Sequence, residues 1–453
     1  MSGVAHPPLE PPSGVAGDAP ETDAVETPCV ASPESELRNS FWLALHQVLI
    51  RIGWVFKTES IFMPFFMDTI GGGPALRGSL MVFNRLGFSV PPALFARSLK
   101  LMPQKRRAVM ACTFGMAIPF ALLSVVWASG VWRSDAAPAQ PWMPYFFLAA
   151  YALFFTFTGV NQLAAHSIQG KLIRAERRGR LFAAGVVVGA PLAILAAWSL
   201  MPGWLKLPDG GFTWLFAAPA VAFALASLTM LGVKEEDDSF EEPEAPAWSR
   251  LREAVRLALE PGPCHAVAIT ALLFSVNFML FPHYQALATQ RAAESAASAF
   301  DLRSLMVWTI TQHTAVAVRS LLAGPLADRF GTRLAVRLLV RGTSLGPLTA
   351  IALSTLPADQ MNEWYWVVFF PLGFTPVTIK MLINYTLEAT PREDHPRYVS
   401  AIGMCLALPV IVGSPLVGAL VGWVGCVPVF IGGAVVLLVA AGQTLRLAEP
   451  RHS

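Results

Sequence analysis

Gly324–Arg333 reads GPLADRFGTR, and it lies between two apolar segments that are each long enough to cross a bilayer. Gly, Asp and Arg between two such segments make a tight charged turn at a membrane surface. Gly324 is expected to let two helices approach closely, and Gly331 to supply a backbone position with positive φ. Asp328 puts an acid at a helix end, and Arg329 and Arg333 hold that end on the cytoplasmic side.

The rest of the chain has the composition such a turn requires. Its 453 residues are 54% hydrophobic and only 14% charged, against about a quarter charged in soluble proteins. That balance predicts an all-α polytopic membrane protein. The net charge of +3 is too small to imply a nucleic-acid partner. Cys29, Cys112, Cys264, Cys405 and Cys426 are scattered without metal-ligand spacing, so neither a disulfide nor a metal site is expected.

About twelve spans follow from the need for some 20 apolar residues each. The first six are Phe41–Thr69, Leu76–Leu99, Ala108–Gly130, Trp142–Ile168, Leu181–Leu200 and Phe212–Val233. The next six are Cys264–Leu287, Leu302–Leu326, Leu334–Leu356, Trp364–Leu387, Val399–Val424 and Pro428–Leu447. Cations cluster after the second span (Lys100, Lys105, Arg106, Arg107) and the fourth (Lys171, Arg174, Arg177, Arg178, Arg180). They recur after the eighth (Arg329, Arg333, Arg337) and the tenth (Arg392, Arg397). The positive-inside rule then puts both termini in the cytoplasm of a cell (inner) membrane protein.

The expected organisation is a disordered cytoplasmic tail (1–40), a six-helix bundle (41–233), a linker (234–262), a second six-helix bundle (263–447) and a short tail (448–453). Residues 1–36 are rich in Pro, Ala and acids, and no cleavable signal peptide is read in them. In the linker the acidic run KEEDDSFEEPE gives way to WSRLREAVRLAL, where Trp248, Leu251, Val255 and Leu259 recur at helical spacing. This reads as a short amphipathic helix on the inner surface, or as a plain solvated connector.

The pattern G-x-L-A-D-R-x-G-x-R in Gly324–Arg333 resembles the loop signature of the major facilitator superfamily, which recurs between the second and third helices of each six-helix half. The resemblance runs from about Phe41 to Leu447 and implies two six-helix halves of parallel symmetry. Laid on LLAGPLADRFGTRLAV, the first-half loop LFARSLKLMPQKRRAV sets Arg97 against Gly324 and Leu101 against Asp328, so it keeps only the basic end. By the family's pattern, Asp328 caps the start of the eleventh helix near Val399 in the outward-open state, and Arg329 or Arg333 seeks Glu388. The fifth span (Gly185, Gly189, Pro191) and the eleventh (Gly413, Pro415, Gly418, Gly422) resemble an antiporter signature with one residue inserted between glycine and proline. Close packing of small residues explains the same positions. Pro64 and the pair Pro91-Pro92 are read as breaks in the first and second spans.

Charge inside a bilayer is costly and marks candidate sites. Lys57 and Glu59 stand two apart in the first span, which on a helix points them to opposite sides. Glu59 lies roughly 15 Å below the outer end of that span, at the depth of Arg85 in the second. A Glu59–Arg85 pair is therefore expected, either as a proton-responsive switch or as a static buried pair. Asn277 shares the depth of Glu59, and Gln312, beside His313, aligns with Arg85. Lys57 and Arg85 would receive a carboxylate or phosphate while Asn277, Gln312 and His313 orient the remainder. For Asn277 and His313, an interhelical hydrogen bond is the competing fate. Lys380 and Asn384, with Asn161, Gln162 and His166, would line an inner vestibule, or Lys380 would snorkel.

These features predict a secondary transporter of a small polar or anionic solute that works by alternating access with protons as the coupling ion. It would act as a monomer in the lipid bilayer without a cofactor. The eroded first-half loop favours the alternative, a non-transporting sensor or assembly factor. No P-loop is present, so direct coupling to ATP is not expected, and a membrane enzyme is disfavoured because no metal-binding helix or His-rich catalytic run is found.

Overall fold

The computed structural model describes residues 33–237, 256, 264–294, 300–391 and 394–449. The tail before Pro33, the acidic run beyond Asp237 and, apart from Arg256, the segment read as an amphipathic helix lie outside the described residues. So do Cys29 and Arg392.

Every regular element among the described residues is helical. In the first part of the chain these are α1 (Pro33–Phe56), α2 (Phe62–Thr69), α3 (Gly73–Lys100), α4 (Lys105–Ser129), α5 (Met143–Leu172), α6 (Ala175–Trp204) and α7 (Phe212–Thr229). In the second part they are α8 (His265–Phe274), α9 (Val276–Glu294), α10 (Arg303–Phe330), α11 (Thr332–Thr343), α12 (Leu345–Ser354), α13 (Ala358–Trp364), α14 (Trp366–Leu372), α15 (Phe374–Ala389), α16 (His395–Val424) and α17 (Cys426–Gln443).

Nine helical stretches among the described residues are long and apolar enough to cross a membrane, and they coincide with predicted spans three to seven and nine to twelve. The protein is a multi-pass membrane protein. The other three predicted spans are helical too, as α1 with α2, α3 and α10, but they carry charges: Arg51 and Asp68; Arg77 and Arg85; and Arg319. The least apolar spans are thus the ones that bear the candidate site.

Helices α1 and α3–α7 pack on one another, as do α8–α17. The two sets meet where α3 lies along α16, α6 along α10, and α9 against α2 and α3. One end of the assembly carries the loops Leu101–Gln104 and Gly331 and is called here the basic end. The other carries the turn between α2 and α3 and is called the distal end.

Small residues permit the α3–α16 contact near the distal end. A Cβ on Gly78 would fall 2.5 Å from the Ser414 carbonyl, and one on Gly418 would fall 2.5 Å from the Pro74 carbonyl. Two backbones therefore touch directly, as small residues allow in a bilayer. The fifth-span glycines do the same work, with Gly185 against Gln47 and Gly189 against Val48 of α1. Gly324 does not behave as expected: a Cβ there would meet nothing within 4 Å, so it mediates no close approach. The same holds for Gly170 and Gly403, also towards the basic end.

Prolines act differently in the first two spans. The first does break, between Phe56 and Phe62, and Pro64 sits in the first turn of α2, where its missing N–H costs no helical bond. The second does not break, because α3 runs through Pro91 and Pro92. Pro91 cannot donate to the Gly87 carbonyl, and that carbonyl is instead packed against Gly159 of α5. Despite the break, α2 is fixed to the first bundle. The Phe66 ring meets Trp127, Phe147, Phe212 and Phe216 edge to face, with centroids 4.7–5.0 Å away.

Candidate functional site

The break in the first span is the centre of the site. Residues Lys57–Ile61 leave the helical path, and Thr58 Oγ1 donates back to the Val55 carbonyl (3.0 Å) while the Met63 N–H donates to the Thr58 carbonyl (3.2 Å). Off the helix, two positions no longer imply opposite directions. Lys57 and Glu59 therefore do pair, with Nζ 2.7 Å from Oε1, against the expectation from helical spacing. The ammonium is wholly buried and stands over the Trp54 ring at 3.4 Å, with Phe155 and Phe154 at 4.4 and 4.6 Å. An aromatic box plus a carboxylate compensates a charge in this position. In this structure the Lys57 charge is thus enclosed within the first bundle by Glu59 and the three rings.

The expected Glu59–Arg85 ion pair is not formed. The second Glu59 oxygen accepts from Asn84 Nδ2 at 2.5 Å, so both oxygens are taken by other groups. Asn84 precedes Arg85 on α3 and points towards the break, which leaves Arg85 turned about 100° away. Its guanidinium lies 3.6 Å over the Phe278 ring of α9, joining the two halves by a cation–π contact. Arg85 Nε is buried without a hydrogen-bond partner.

The same break also reaches the other half. Ser60 Oγ donates to Gln312 Oε1 (2.6 Å), and Thr58 Oγ1 lies 3.5 Å from Thr309 Oγ1. Gln312 is thus joined to the first span, and His313 beside it is half-buried. Asn277 is buried and donates to Thr375 Oγ1 (2.6 Å), so it forms the interhelical bond. Lys380 and Asn384 on α15 and Gln162 and His166 on α5 are exposed, whereas Asn161 is buried and accepts from Thr113 Oγ1 (2.9 Å).

A second polar cluster, near the distal end, was not legible as a unit in the sequence. Arg77 Nη1 donates to both Asp68 oxygens at 2.7 Å each, and Gln285 Nε2 donates to Asp68 Oδ2 at 2.8 Å. The Arg77 Nε–H donates to His283 Nδ1 (3.3 Å). An accepting Nδ1 places the ring proton on Nε2, which is buried without a partner. Asp68 and Arg77 belong to the first half and His283 and Gln285 to the second, so this cluster ties the halves together. The only signal in the sequence was an acid and an arginine flanking one short turn.

The signature loop is built partly as expected. Gly331 has φ +88°, a left-handed position that favours glycine, and a Cβ there would fall 2.7 Å from Glu449 Oε1. Asp328 is exposed in the last turn of α10. The arginines do not reach Glu388. Arg333 pairs with Glu449 (3.3 Å), and Arg329 lies 5.4 Å from the Phe330 ring. Glu388 instead accepts from the Thr332 hydroxyl, at 2.7 and 2.6 Å to its two oxygens. The chain after α17 folds back onto the loop, which puts Glu449 nearer than Glu388.

The first-half loop has a counterpart to Glu449. Glu235 follows α7 and accepts from the backbone N–H groups of Lys105 (3.0 Å) and Arg106 (2.7 Å) at the start of α4, and from Lys171 Nζ (3.2 Å). A carboxylate on these orphan amides caps the helix and complements its dipole. Though it has lost Gly and Asp, this loop is still held in place by an acid from the end of its own half.

Residues 296–453 match the family model described as Major Facilitator Superfamily. No curated protein sequence matches the chain. A mutant of the nucleoside transporter NupG superposes with a TM-score of 0.68 at 12% identity, covering 92% of this chain and 100% of that one. A bacterial homolog of the human lysosomal transporter Spinster, in an inward-facing and unoccupied conformation, superposes with a TM-score of 0.56 at 14% identity, covering 91% and 97%. Residues 296–453 thus resemble that family, and nearly the whole chain shares the fold of these two solved structures.

Proposed function

We propose that the protein is a secondary transporter which moves a small polar or anionic solute by alternating access, with protons as coupling ion and Glu59 as the group that takes them up. The observation that carries this reading is the broken first span. At mid-membrane it presents Thr58 and Ser60 to Thr309 and Gln312 of the other half, with the Lys57–Glu59 pair directly behind them. Irregular backbone at that depth suits a solute site between two rocking halves.

The proposed state is inward-facing. The halves are tied near the distal end by the Asp68–Arg77 cluster, with His283 and Gln285 of the other half, and by the close approach of Gly78 to Ser414 and of Gly418 to Pro74. The positive-inside rule assigns that basic end, and both termini, to the cytoplasm of the cell membrane. Both structural neighbours are transporters, which supports the same reading; it assigns the protein no enzymatic step and a monomeric state.

Flux of pooled metabolites into proteoliposomes tests it, with and without a proton gradient. Glu59→Gln should abolish the response to the gradient, and Asp328→Asn should slow flux. Undiminished flux in both variants refutes the assigned roles, and no flux for any solute refutes transport.

A further inference from the structure

Helices α6 and α7 each lie along α1 but barely touch one another. The groove left between them has a volume of about 320 Å³, and only apolar and aromatic residues line it. Its floor is α1, as far as Phe56, the last helical residue before the break in the first span. At the distal end the rings of Trp204 on α6 and Trp214 on α7 stack with centroids 6.4 Å apart and hold the two helices away from each other. Phe56 packs against Trp204 at 5.6 Å. Towards the middle of the membrane, Ala196, Ala217, Ala218 and Ala222 are too small to close the gap.

The groove opens on the outside of the first bundle, where Trp214, Val221 and Leu225 are 50%, 58% and 48% exposed. In a bilayer that face meets hydrocarbon. From Trp214 to Leu225 the groove follows α7 for about 16 Å. The hydrocarbon core is about 30 Å thick, so the groove has the length of one leaflet. No lining residue carries a charge or a hydroxyl that would orient a polar solute, so what fits is a chain. Its distal mouth carries the two indoles, the groups that sit at the boundary with the lipid head groups.

A cation stands at that mouth. Lys206 is exposed on the tight turn just past Trp204, which is closed by the Leu207 N–H donating to the Trp204 carbonyl (2.9 Å). The acid of the same turn is engaged within it: Asp209 accepts from the Gly211 N–H (3.0 Å) and the Thr213 hydroxyl (2.9 Å). The ammonium is therefore the charge this turn offers to a phosphate at the membrane surface.

We infer that the groove is a specific site for one phospholipid of the distal leaflet, with an acyl chain between α6 and α7 and the phosphate against Lys206. The chain supplies the dispersion contacts that the four alanines leave unmade. It also backs Phe56, so its presence supports the helix end beside the break. The inference rests on the packing of the first bundle within a membrane and not on the transport reading, so a failure of flux leaves it standing.

The test titrates the full-length protein, stripped of lipid in detergent, with dioleoyl phosphatidylglycerol. Binding is read by native mass spectrometry and by thermal unfolding. One lipid should stay bound when the rest are lost on collisional heating, and it should raise the unfolding temperature saturably. Dihexanoyl phosphatidylglycerol keeps the head but has chains too short for the groove. Diolein keeps the chains but lacks the phosphate. Each should bind at least fivefold more weakly. Ala218→Leu fills the groove and should weaken binding about tenfold or more, and Ala217→Phe, at a second lining position, should do the same if the first variant does not fold. Lys206→Gln should weaken it about fivefold. Val435→Phe, on an exposed position of α17, should change nothing. No retained lipid, equal retention in a folded groove-filling variant, or dihexanoyl lipid bound as tightly as dioleoyl overturns the inference. Diolein bound as tightly as the phospholipid overturns the part given to Lys206.

Discussion

Replacing Arg77 by Gln should unlock the distal end. In the folded protein this guanidinium holds both Asp68 oxygens at 2.7 Å and reaches His283 across the interface. Its side chain is 2% exposed, and that of Asp68 is 27% exposed. Removing one partner of such a pair strands the other, which costs about 3–5 kcal/mol for a fully buried pair. The partial exposure of Asp68 and its remaining bond from Gln285 argue for the low end, about 3 kcal/mol. The distal contact exists only while the halves are closed there, so most of that loss falls on the closed state. At 1.4 kcal/mol per tenfold, the ratio of closed to open should drop by about 150-fold.

The assay is cross-linking by a short bifunctional thiol reagent in a background without native cysteines. Ala75→Cys and Gly422→Cys place thiols on α3 and α16, where those helices meet beside Pro74. The starting protein should cross-link readily and Arg77→Gln poorly, with Arg77→Lys between them because it keeps the charge but loses the fork. Unchanged cross-linking in a folded Arg77→Gln protein would show that the cluster does not hold the halves shut. It would also remove the main support for the inward-facing assignment.

Two further outcomes follow from the same geometry. Lys57→Met should lower the unfolding temperature in detergent by several degrees, because Glu59 then keeps only Asn84 as a partner, and adding Glu59→Gln should recover much of the loss. If the single variant is as stable as the parent, the aromatic box and not the ion pair holds that segment. Glu235→Ala should cost about 1–2 kcal/mol by removing the cap on α4, while Asp237→Ala should cost far less. Equal effects in chemical denaturation would deny Glu235 its capping role.

The placing of nine of the spans could be read from the chain because hydropathy is a local sum: about 20 apolar residues need no knowledge of their neighbours. Gly331 was legible for a similar reason, since its φ is a property of the loop itself. The resemblance that the family model finds over residues 296–453 was legible in ten residues of that loop.

What the sequence could not supply was pairing. Lys57 and Glu59 were set apart by assuming 3.6 residues per turn, and that assumption failed where the helix ends at Phe56. Arg85 lost its predicted partner because Asn84, one residue earlier, took the oxygen facing α3. Arg333 found Glu449 because the chain after α17 returns to the loop, a distance of over a hundred residues in sequence. The Asp68–Arg77–His283–Gln285 cluster draws on both halves. A buried charge takes whichever partner three-dimensional packing brings within about 3 Å, and no local property of the chain encodes that choice.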